Sequence, residues 1–306
     1  MAGGTRKTVS LVLGSGGARG LAHIGIIRYL EESGYDIRSI SGCSMGAVIG
    51  GTYAAGKLEE FEKWVCTIDG MDIVSLLDIS WTKGGLVKGD KIIGTLKNLI
   101  GDRNIEDLPI PFTAVAADFA AEKEVWMQRG NLFDAIRASM SLPLLFTPVE
   151  QNGRLLIDGG VLNPVPIAPT FSDHNDLTIA VNLGGKVKRS GGTPAVPPDS
   201  SPVHVDKGDE EEQSSMRRAV NRFLDSMGDK FNSDETKKEE LGVLEIANQA
   251  FDAMQGSISR AKLAAYPPDR VVTIPRDAAM TMEFDRAAEL IELGYETAKV
   301  QLGERN

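Results

Sequence analysis

The first 55 residues contain two glycine-rich strand-to-helix turns, and this feature constrains the fold more than any other. An apolar β-branched run, Thr8–Leu13, passes directly into GSGGARG at 14–20, and apolar residues three apart follow over Leu21–Glu32. A second run, Asp36–Ser41, passes into GCSMG, after which Met45–Ala55 is apolar or small on every side. Apolar strands that alternate with helical periods are typical of α/β layer folds. We therefore predict an α/β fold.

The same alternation predicts the remaining elements. Further helices are expected at 58–67, 90–100, 132–140 and 284–302, and further strands at 112–117, 124–128, 155–157, 177–182 and 271–274. A chain of 306 residues is long enough for one large domain or two small ones. Because the alternation is interrupted once and then resumes, we predict a single domain made of residues 8–185 and 239–304.

The interruption, residues 186–238, has a different composition. Up to Gln213 it contains GG, PP, SSP and the acidic run DEEE, with few large apolar residues. Such a segment cannot bury enough surface to offset its ordering entropy, so we predict that it is disordered. Apolar residues then recur at helical spacing from Met216 to Phe231 beside three arginines. This pattern predicts a basic amphipathic helix that either packs on the domain or lies on a lipid surface.

Charge and cysteine content exclude several classes of protein. The formal net charge is −10 and no stretch gathers lysine and arginine into a large basic face, so nucleic acid is not expected as a partner. Cys43 and Cys66 lack the spacing of a zinc site or a disulfide framework, and we predict that both are buried and reduced and that no metal is bound. The chain start lacks a secretory signal, and the uncharged stretch Ser39–Gly56 is broken by GCSMG. We expect a cytoplasmic protein.

The first glycine turn, Gly14–Gly20, has the character of an anion cradle. Successive glycines let backbone N–H groups point into one concavity, and the following helix N-terminus adds positive potential. The turn is not a dinucleotide loop, because Arg19 occupies the third glycine position, and it lacks the Gly-Lys-Ser/Thr ending of a Walker loop. The anion is therefore a phosphate or a developing oxyanion. Arg19 either fixes the loop through an ion pair or binds a lipid phosphate.

The second turn matches the G-x-S-x-G pattern of a nucleophile elbow, with Ser44 surrounded by Gly42, Cys43, Met45 and Gly46. An elbow places the serine on a strained turn above the sheet edge, where the dipole of the following helix favours negative charge. A third motif, Asp158 followed by Gly159 and Gly160, comes just after the strand-like LLI. An anion cradle, a serine elbow and an aspartate in a tight turn are together the parts of a serine hydrolase.

Three stretches resemble the patatin-like phospholipase family, most closely its bacterial branch related to neuropathy target esterase. They are LGSGGARGLAHIGIIRYLEE, SISGCSMGAVIGGTYAAG and LIDGGVLNPVP. The resemblance to that branch resumes in the tail, in QAFDAMQGSISRAKLAAYPPDRVVTIP and EFDRAAELIELGYETA. The resemblance implies a three-layer fold, in which helices flank a mixed central β-sheet, and hydrolysis of acyl esters in lipids. It implies Ser44 as nucleophile, Asp158 as catalytic aspartate, and an oxyanion loop in which Gly16 and Gly17 are the leading donors. That loop comprises Gly14, Ser15, Gly16, Gly17, Ala18, Arg19 and Gly20.

The three histidines test this hypothesis. The order Ser44, Asp158, His174 would suit a Ser–Asp–His triad, but folds with that triad usually place the serine after several strands, and Ser44 follows only the second. We therefore predict a Ser–Asp dyad that needs no cofactor. His23 is expected to pack at the edge of the glycine loop, and His204 lies in the insertion.

The expected activity is that of a phospholipase A, lysophospholipase or esterase, with a lipid acyl ester as substrate and peripheral contact with the inner membrane. Two alternatives stay open from the residues alone. One is a regulatory protein that binds phosphate or a nucleotide through Gly14–Gly20. The other is a catalytically silent adaptor that works through the acidic insertion.

Overall fold

The computed structural model describes residues 6–76, 87–186 and 234–303. Its centre is a mixed β-sheet of eight strands. In chain order the strands are β1 (Thr8–Leu13), β2 (Asp36–Cys43), β3 (Phe112–Asp118), β4 (Lys123–Met127), β5 (Val149–Gln151), β6 (Arg154–Asp158), β7 (Leu177–Gly185) and β8 (Arg270–Pro275).

Parallel pairing builds one half of the sheet and antiparallel pairing the other. β3, β2, β1, β7 and β8 are parallel neighbours in that order. β4 and β6 both run antiparallel to β3, and β5 runs antiparallel to β6. The predicted α/β class with a mixed sheet is therefore confirmed.

The register around β3 brings two distant motifs together. β4 pairs with Ala114–Asp118 along one edge of β3. The other edge is shared, because β2 pairs with Phe112–Val115 and β6 pairs with the residues from Ala116 onward. The C-terminal ends of β2 and β6 therefore meet end to end, with Cys43 opposite Val115 and Asp158 opposite Ala116.

Helices cover both faces of the sheet. In chain order they are α1 (Ala22–Glu32), α2 (Met45–Ala54), α3 (Leu58–Val65), α4 (Gly70–Leu76), α5 (Asp90–Ile100), α6 (Leu132–Ser139), α7 (Asp234–Ala265) and α8 (Ala287–Gly303). Leu11 and Leu13 face the larger core, whereas Val12 faces a smaller cluster that Leu263 of α7 completes. This alternation follows from the period of two along a strand.

The predicted elements in the described residues are confirmed, with ends within three residues of the expected ones. The short elements α4 and β5 were not predicted, because seven and three residues are too few to show a period. The long helix α7 was not predicted either, and it begins at Asp234, inside the stretch 186–238 assigned to the insertion. A 3-10 helix, Gly17–Leu21, precedes α1. The predicted disordered part of the insertion beyond Lys186, and the helix at Met216–Phe231, lie outside the described residues.

The prediction that both cysteines are buried is wrong for Cys66. Cys43 is buried and Cys66 is exposed, and both are free thiols. Cys66 directly follows α3, whose buried face carries Phe61 and Val65, so the next position turns toward solvent. Among the described helices, none has the length and apolar character needed to cross a membrane.

Candidate active site

Ser44 stands between β2 and α2 in a strained backbone conformation, with φ of 55° and ψ of −123°. The flanking glycines are sterically required. A Cβ atom on Gly42 would lie 2.3 Å from the Gly46 carbonyl oxygen, and one on Gly46 would lie 2.1 Å from the Leu13 carbonyl oxygen. The elbow can therefore form only with glycine at both positions, which explains the G-x-S-x-G pattern.

A buried serine that the sequence did not indicate supports the elbow. The Ser44 backbone N–H donates to Ser139 Oγ at 3.0 Å, and Ser139 Oγ donates to the Val115 carbonyl oxygen at 2.7 Å. Ser139 is the last residue of α6 and is fully buried. It ties the elbow to β3, but a lone serine at a helix end carries no recognisable sequence signal.

Asp158 is the last residue of β6 and is fully buried. Its Oδ1 atom accepts the Gly160 N–H at 2.7 Å and lies 3.7 Å from Cys43 Sγ. Its Oδ2 atom has no hydrogen-bond partner within the described residues. The Ser44 hydroxyl is nevertheless near enough to stabilise the carboxylate. The structure thus brings together the serine and the aspartate that the motifs singled out.

Burial makes Asp158 a stronger base than an ordinary aspartate. Loss of water raises its pKa to about 6, although the Ser44 hydroxyl, the Gly160 N–H and the Cys43 thiol each lower it. A carboxyl group with this pKa is mainly ionised at neutral pH and accepts a proton more readily than a solvated carboxylate.

The glycine turn leaves two backbone donors free. The N–H groups of Gly14, Ser15 and Ala18 donate to the carbonyl oxygens of Val181, Pro164 and Thr281 at 3.1, 2.8 and 2.9 Å. Within the described residues, the N–H groups of Gly16 and Gly17 have no such acceptor. Gly17 also lies in the wall of the pocket that contains Ser44. The two donors that the resemblance favoured are thus the ones with unused hydrogen-bonding capacity.

Arg19 fixes this turn from behind. Its side chain is buried, and Nε donates to the Gly16 carbonyl oxygen at 2.9 Å. One terminal nitrogen donates to the Arg276 carbonyl oxygen at 2.8 Å, and the other forms an ion pair with Asp252 at 2.9 Å. Of the two interpretations of Arg19, the structure shows the loop-fixing ion pair.

His23 and His174 form no hydrogen bond with Ser44 or Asp158. His23 is fully buried under the glycine turn with Nε2 2.9 Å from the Gly14 carbonyl oxygen, and burial lowers its pKa to about 4, so the ring is neutral. His174 is exposed in the loop before β7, at the end of the parallel strands opposite the elbow. His204 lies outside the described residues.

An apolar pocket opens from Ser44, and the sequence did not predict it. It encloses about 860 Å³ of empty space, including its open mouth. Besides Gly17, Ser44 and Thr281, its wall consists of large apolar side chains from several elements and loops: Leu21, Met45, Val48, Phe61, Trp64, Val65, Ile68, Ile73, Leu76, Ile92, Leu96, Met140, Leu142, Leu145, Phe146, Met282 and Phe284. Such a wall suits a hydrocarbon chain rather than a polar ligand. Among the described residues, no group of three His, Cys, Asp or Glu side chains is placed to hold a metal ion.

Comparison with known proteins shows the family of the chain. A family model described as patatin-like phospholipase matches residues 11–171, a range that contains the elbow and Asp158. The chain belongs to the patatin-like phospholipase family. An uncharacterized NTE family protein of Mycobacterium tuberculosis is 37% identical over 327 residues, which cover 95% of this chain and 90% of that relative.

Two other similarities are more distant. Patatin-like phospholipase domain-containing protein 7 of Rattus norvegicus is 27% identical over 300 residues, which cover 95% of this chain and 20% of that much longer protein. VipD from Legionella pneumophila aligns with 98% of this chain and 67% of its own, with a TM-score of 0.43 and 14% identity. The family model and the NTE family relative confirm the resemblance to patatin-like phospholipases and their NTE-related branch, and membership of this family implies a lipid acyl hydrolase.

Proposed function

We propose that this patatin-like protein hydrolyses acyl esters of lipids through a dyad of Ser44 and Asp158. The observation that carries the proposal is the position of Ser44. It lies on a strained elbow beside a buried carboxylate and opens into an apolar pocket. A nucleophile, a base and a site for an acyl chain are therefore adjacent.

The first half of the reaction forms an acyl-enzyme. Asp158 accepts the hydroxyl proton of Ser44 while Ser44 Oγ attacks the ester carbonyl carbon. The carbonyl oxygen becomes an oxyanion, and the N–H groups of Gly16 and Gly17 stabilise it. The C–O bond to the alcohol then breaks, and the alcohol leaves with the proton from Asp158. In the second half, Asp158 takes a proton from water, the hydroxide attacks the acyl-enzyme, and the fatty acid is released as Ser44 regains its proton.

The base Asp158 and the N–H groups of the glycine turn both lower the activation barrier. A base with a pKa of about 6 removes a serine proton only in part, so hydrogen bonds to the oxyanion must supply much of the stabilisation. One such donor is typically worth ~3–4 kcal/mol in the transition state. The α2 N-terminus, which begins at Met45, adds positive potential at the same place.

The pocket wall supports an acyl chain as the group next to the reacting carbonyl. Each buried methylene contributes ~0.8 kcal/mol, so several methylenes along this wall give substantial binding energy. The same wall argues against a phosphate or nucleotide ligand. Arg19, the cation of the glycine turn, already pairs with Asp252, and Gly17, which carries a free N–H group, lies in an apolar wall.

Exposed apolar side chains next in the chain to pocket residues support contact with a lipid surface. Leu144 is 65% exposed and lies between the pocket residues Leu142 and Leu145, and its backbone has a φ of 71° that is strained for leucine. Met280 is 75% exposed and lies beside the pocket residue Thr281. A lipid leaving a bilayer would then pass from one apolar environment directly into another.

The test is covalent labelling with a fluorophosphonate, which reacts with activated serines. The protein should be labelled and should hydrolyse p-nitrophenyl esters, and Ser44→Ala should lose both properties. Labelling of Ser44→Ala at the rate of the natural protein would place the reactive serine elsewhere and overturn the proposal.

A further inference from the structure

Helix α7 contacts the glycine turn through two polar side chains. Asp252 pairs with Arg19 at 2.9 Å, and Gln255 Nε2 donates to Ser15 Oγ at 3.1 Å. Both contacts join residues more than 230 positions apart in the chain. The Arg19 side chain is 4% exposed, so this cation needs a counter-charge, and Asp252 supplies it.

The pairing has a consequence for the backbone. Arg19 Nε holds the Gly16 carbonyl oxygen at 2.9 Å. In a trans peptide the C=O and N–H bonds point in opposite directions, so the bond to the Gly16 oxygen directs the Gly17 N–H away from Arg19. Gly17 lines the pocket that contains Ser44, so its free N–H is available to an oxyanion formed there.

This peptide needs an external restraint. The two residues that it joins, Gly16 and Gly17, have no Cβ atom to oppose rotation of the peptide plane. A rotated plane would present the Gly16 carbonyl oxygen to the oxyanion in place of the Gly17 N–H, and the two oxygens would repel each other. The three bonds of the Arg19 guanidinium oppose this rotation, and the ion pair with Asp252 fixes the guanidinium.

We propose that Asp252 is a positioning residue for hydrolysis: by pairing with Arg19 it holds the Gly16–Gly17 peptide with its N–H toward Ser44. The inference rests on the proposed ester hydrolysis at Ser44. It assigns to α7, which follows the family-matched residues 11–171, a part in shaping the oxyanion site.

The test compares kcat and KM for soluble p-nitrophenyl esters in Asp252→Asn and in the natural protein. We expect kcat to fall about 10- to 100-fold with KM within about threefold, because complete loss of one oxyanion donor costs about 10²–10³ in kcat. Asp134→Asn is the matched control, since Asp134 is an exposed aspartate of α6, and it should leave kcat unchanged.

A double-mutant cycle separates positioning from a structural role. Arg19→Lys keeps the cation beside Asp252 but loses the planar fork that serves three acceptors, so it should also lower kcat at constant KM. In that background Asp252→Asn should lower kcat by less than twofold more, because Asp252 acts through Arg19. An equal loss in both backgrounds overturns the proposal, and so does an unchanged kcat in Asp252→Asn.

Two further results keep the outcomes distinct. If Asp252→Asn does not fold, Arg19→Lys alone decides, since an unchanged kcat there overturns the positioning role and a reduced kcat at constant KM supports it. If the natural protein shows no turnover that depends on Ser44, the proposed hydrolysis itself fails and the positioning role fails with it. Turnover that depends on Ser44 but not on Asp252 overturns the positioning role alone.

Discussion

Ser44 and Asp158 meet because the strands that carry them share one edge of β3. β2 ends opposite Val115 and β6 ends opposite Ala116, so the residue after one strand and the last residue of the other become neighbours. The sheet register, rather than a flexible loop, sets their separation. A site built on strand ends is more rigid than one built on loops, which suits a reaction that depends on hydrogen-bond distance.

We expect Ser44→Ala and Asp158→Asn each to lower kcat/KM for p-nitrophenyl butyrate at least 1000-fold. Without the nucleophile or its base, the free N–H groups of Gly16 and Gly17 have no intermediate to stabilise. Steady-state kinetics and a circular dichroism spectrum of each variant check this. Near-natural turnover in either folded variant would contradict the dyad.

The pH dependence of activity should show one rising limb. The base must be unprotonated to accept the serine proton, so kcat/KM should increase as pH rises through about 6 and stay level above it. Because His174 is exposed and remote from Ser44, His174→Ala should give the same profile with a rate within about threefold. A limb that vanishes in His174→Ala would show that a histidine is the base.

Asp158 should also reduce the stability of the fold at neutral pH. Its folded pKa of about 6 is higher than the ~3.9 of an unfolded aspartate, so its contribution to stability is fully present below about pH 4 and is lost as pH rises through about 6. The difference of about two units corresponds to about 3 kcal/mol. At pH 8 the free energy of unfolding of Asp158→Asn should therefore exceed that of the natural protein by up to this amount. Urea unfolding of the two proteins measures the difference.

The pH dependence of that difference identifies its cause. The stability gain of Asp158→Asn should disappear as the pH falls below about 4, where the natural carboxyl becomes protonated in both states. Asp134→Asn, at an exposed site, should show no comparable gain at pH 8. A gain that is independent of pH would point to packing rather than to a buried charge.

The motifs predicted more of the candidate site's central residues than of their surroundings. Gly42 and Gly46 are recognisable because local sterics permit no other residue there, so the elbow is visible in five consecutive letters. Ser139 and Asp252 reach the site only through tertiary packing, from α6 and α7, and no local pattern marks them. The pocket wall was unpredictable for the same reason, since its apolar residues come from many separate elements, and in the sequence each looks like ordinary core.

Filling the pocket should change the preference for acyl chain length. In the natural protein kcat/KM should rise from acetyl to octanoyl esters, because each added methylene finds apolar wall at ~0.8 kcal/mol. Met282 is half-buried in that wall, so Met282→Trp should lower octanoyl ester hydrolysis about tenfold or more and leave acetyl ester hydrolysis within threefold. Met254→Trp, an exposed methionine on α7 that does not line the pocket, is the control and should keep the natural preference. Equal preference in both variants would place the acyl chain elsewhere.

Leu144 should matter for lipid surfaces and not for the chemistry. Its side chain is 65% exposed between the pocket residues Leu142 and Leu145, so a carboxylate there adds a charge that must be removed from water on contact with a bilayer. We expect Leu144→Asp to reduce co-sedimentation with phosphatidylcholine vesicles and hydrolysis of vesicle lipid about tenfold. Hydrolysis of soluble butyrate esters should change less than twofold, because Leu144 is not in the pocket wall.

Val300→Asp adds the same charge at an exposed position of α8 and should leave both activities unchanged. Equal losses on soluble and vesicle substrates would mean that Leu144 shapes the pocket, and equal vesicle binding by all three proteins would remove this face as the contact with lipid.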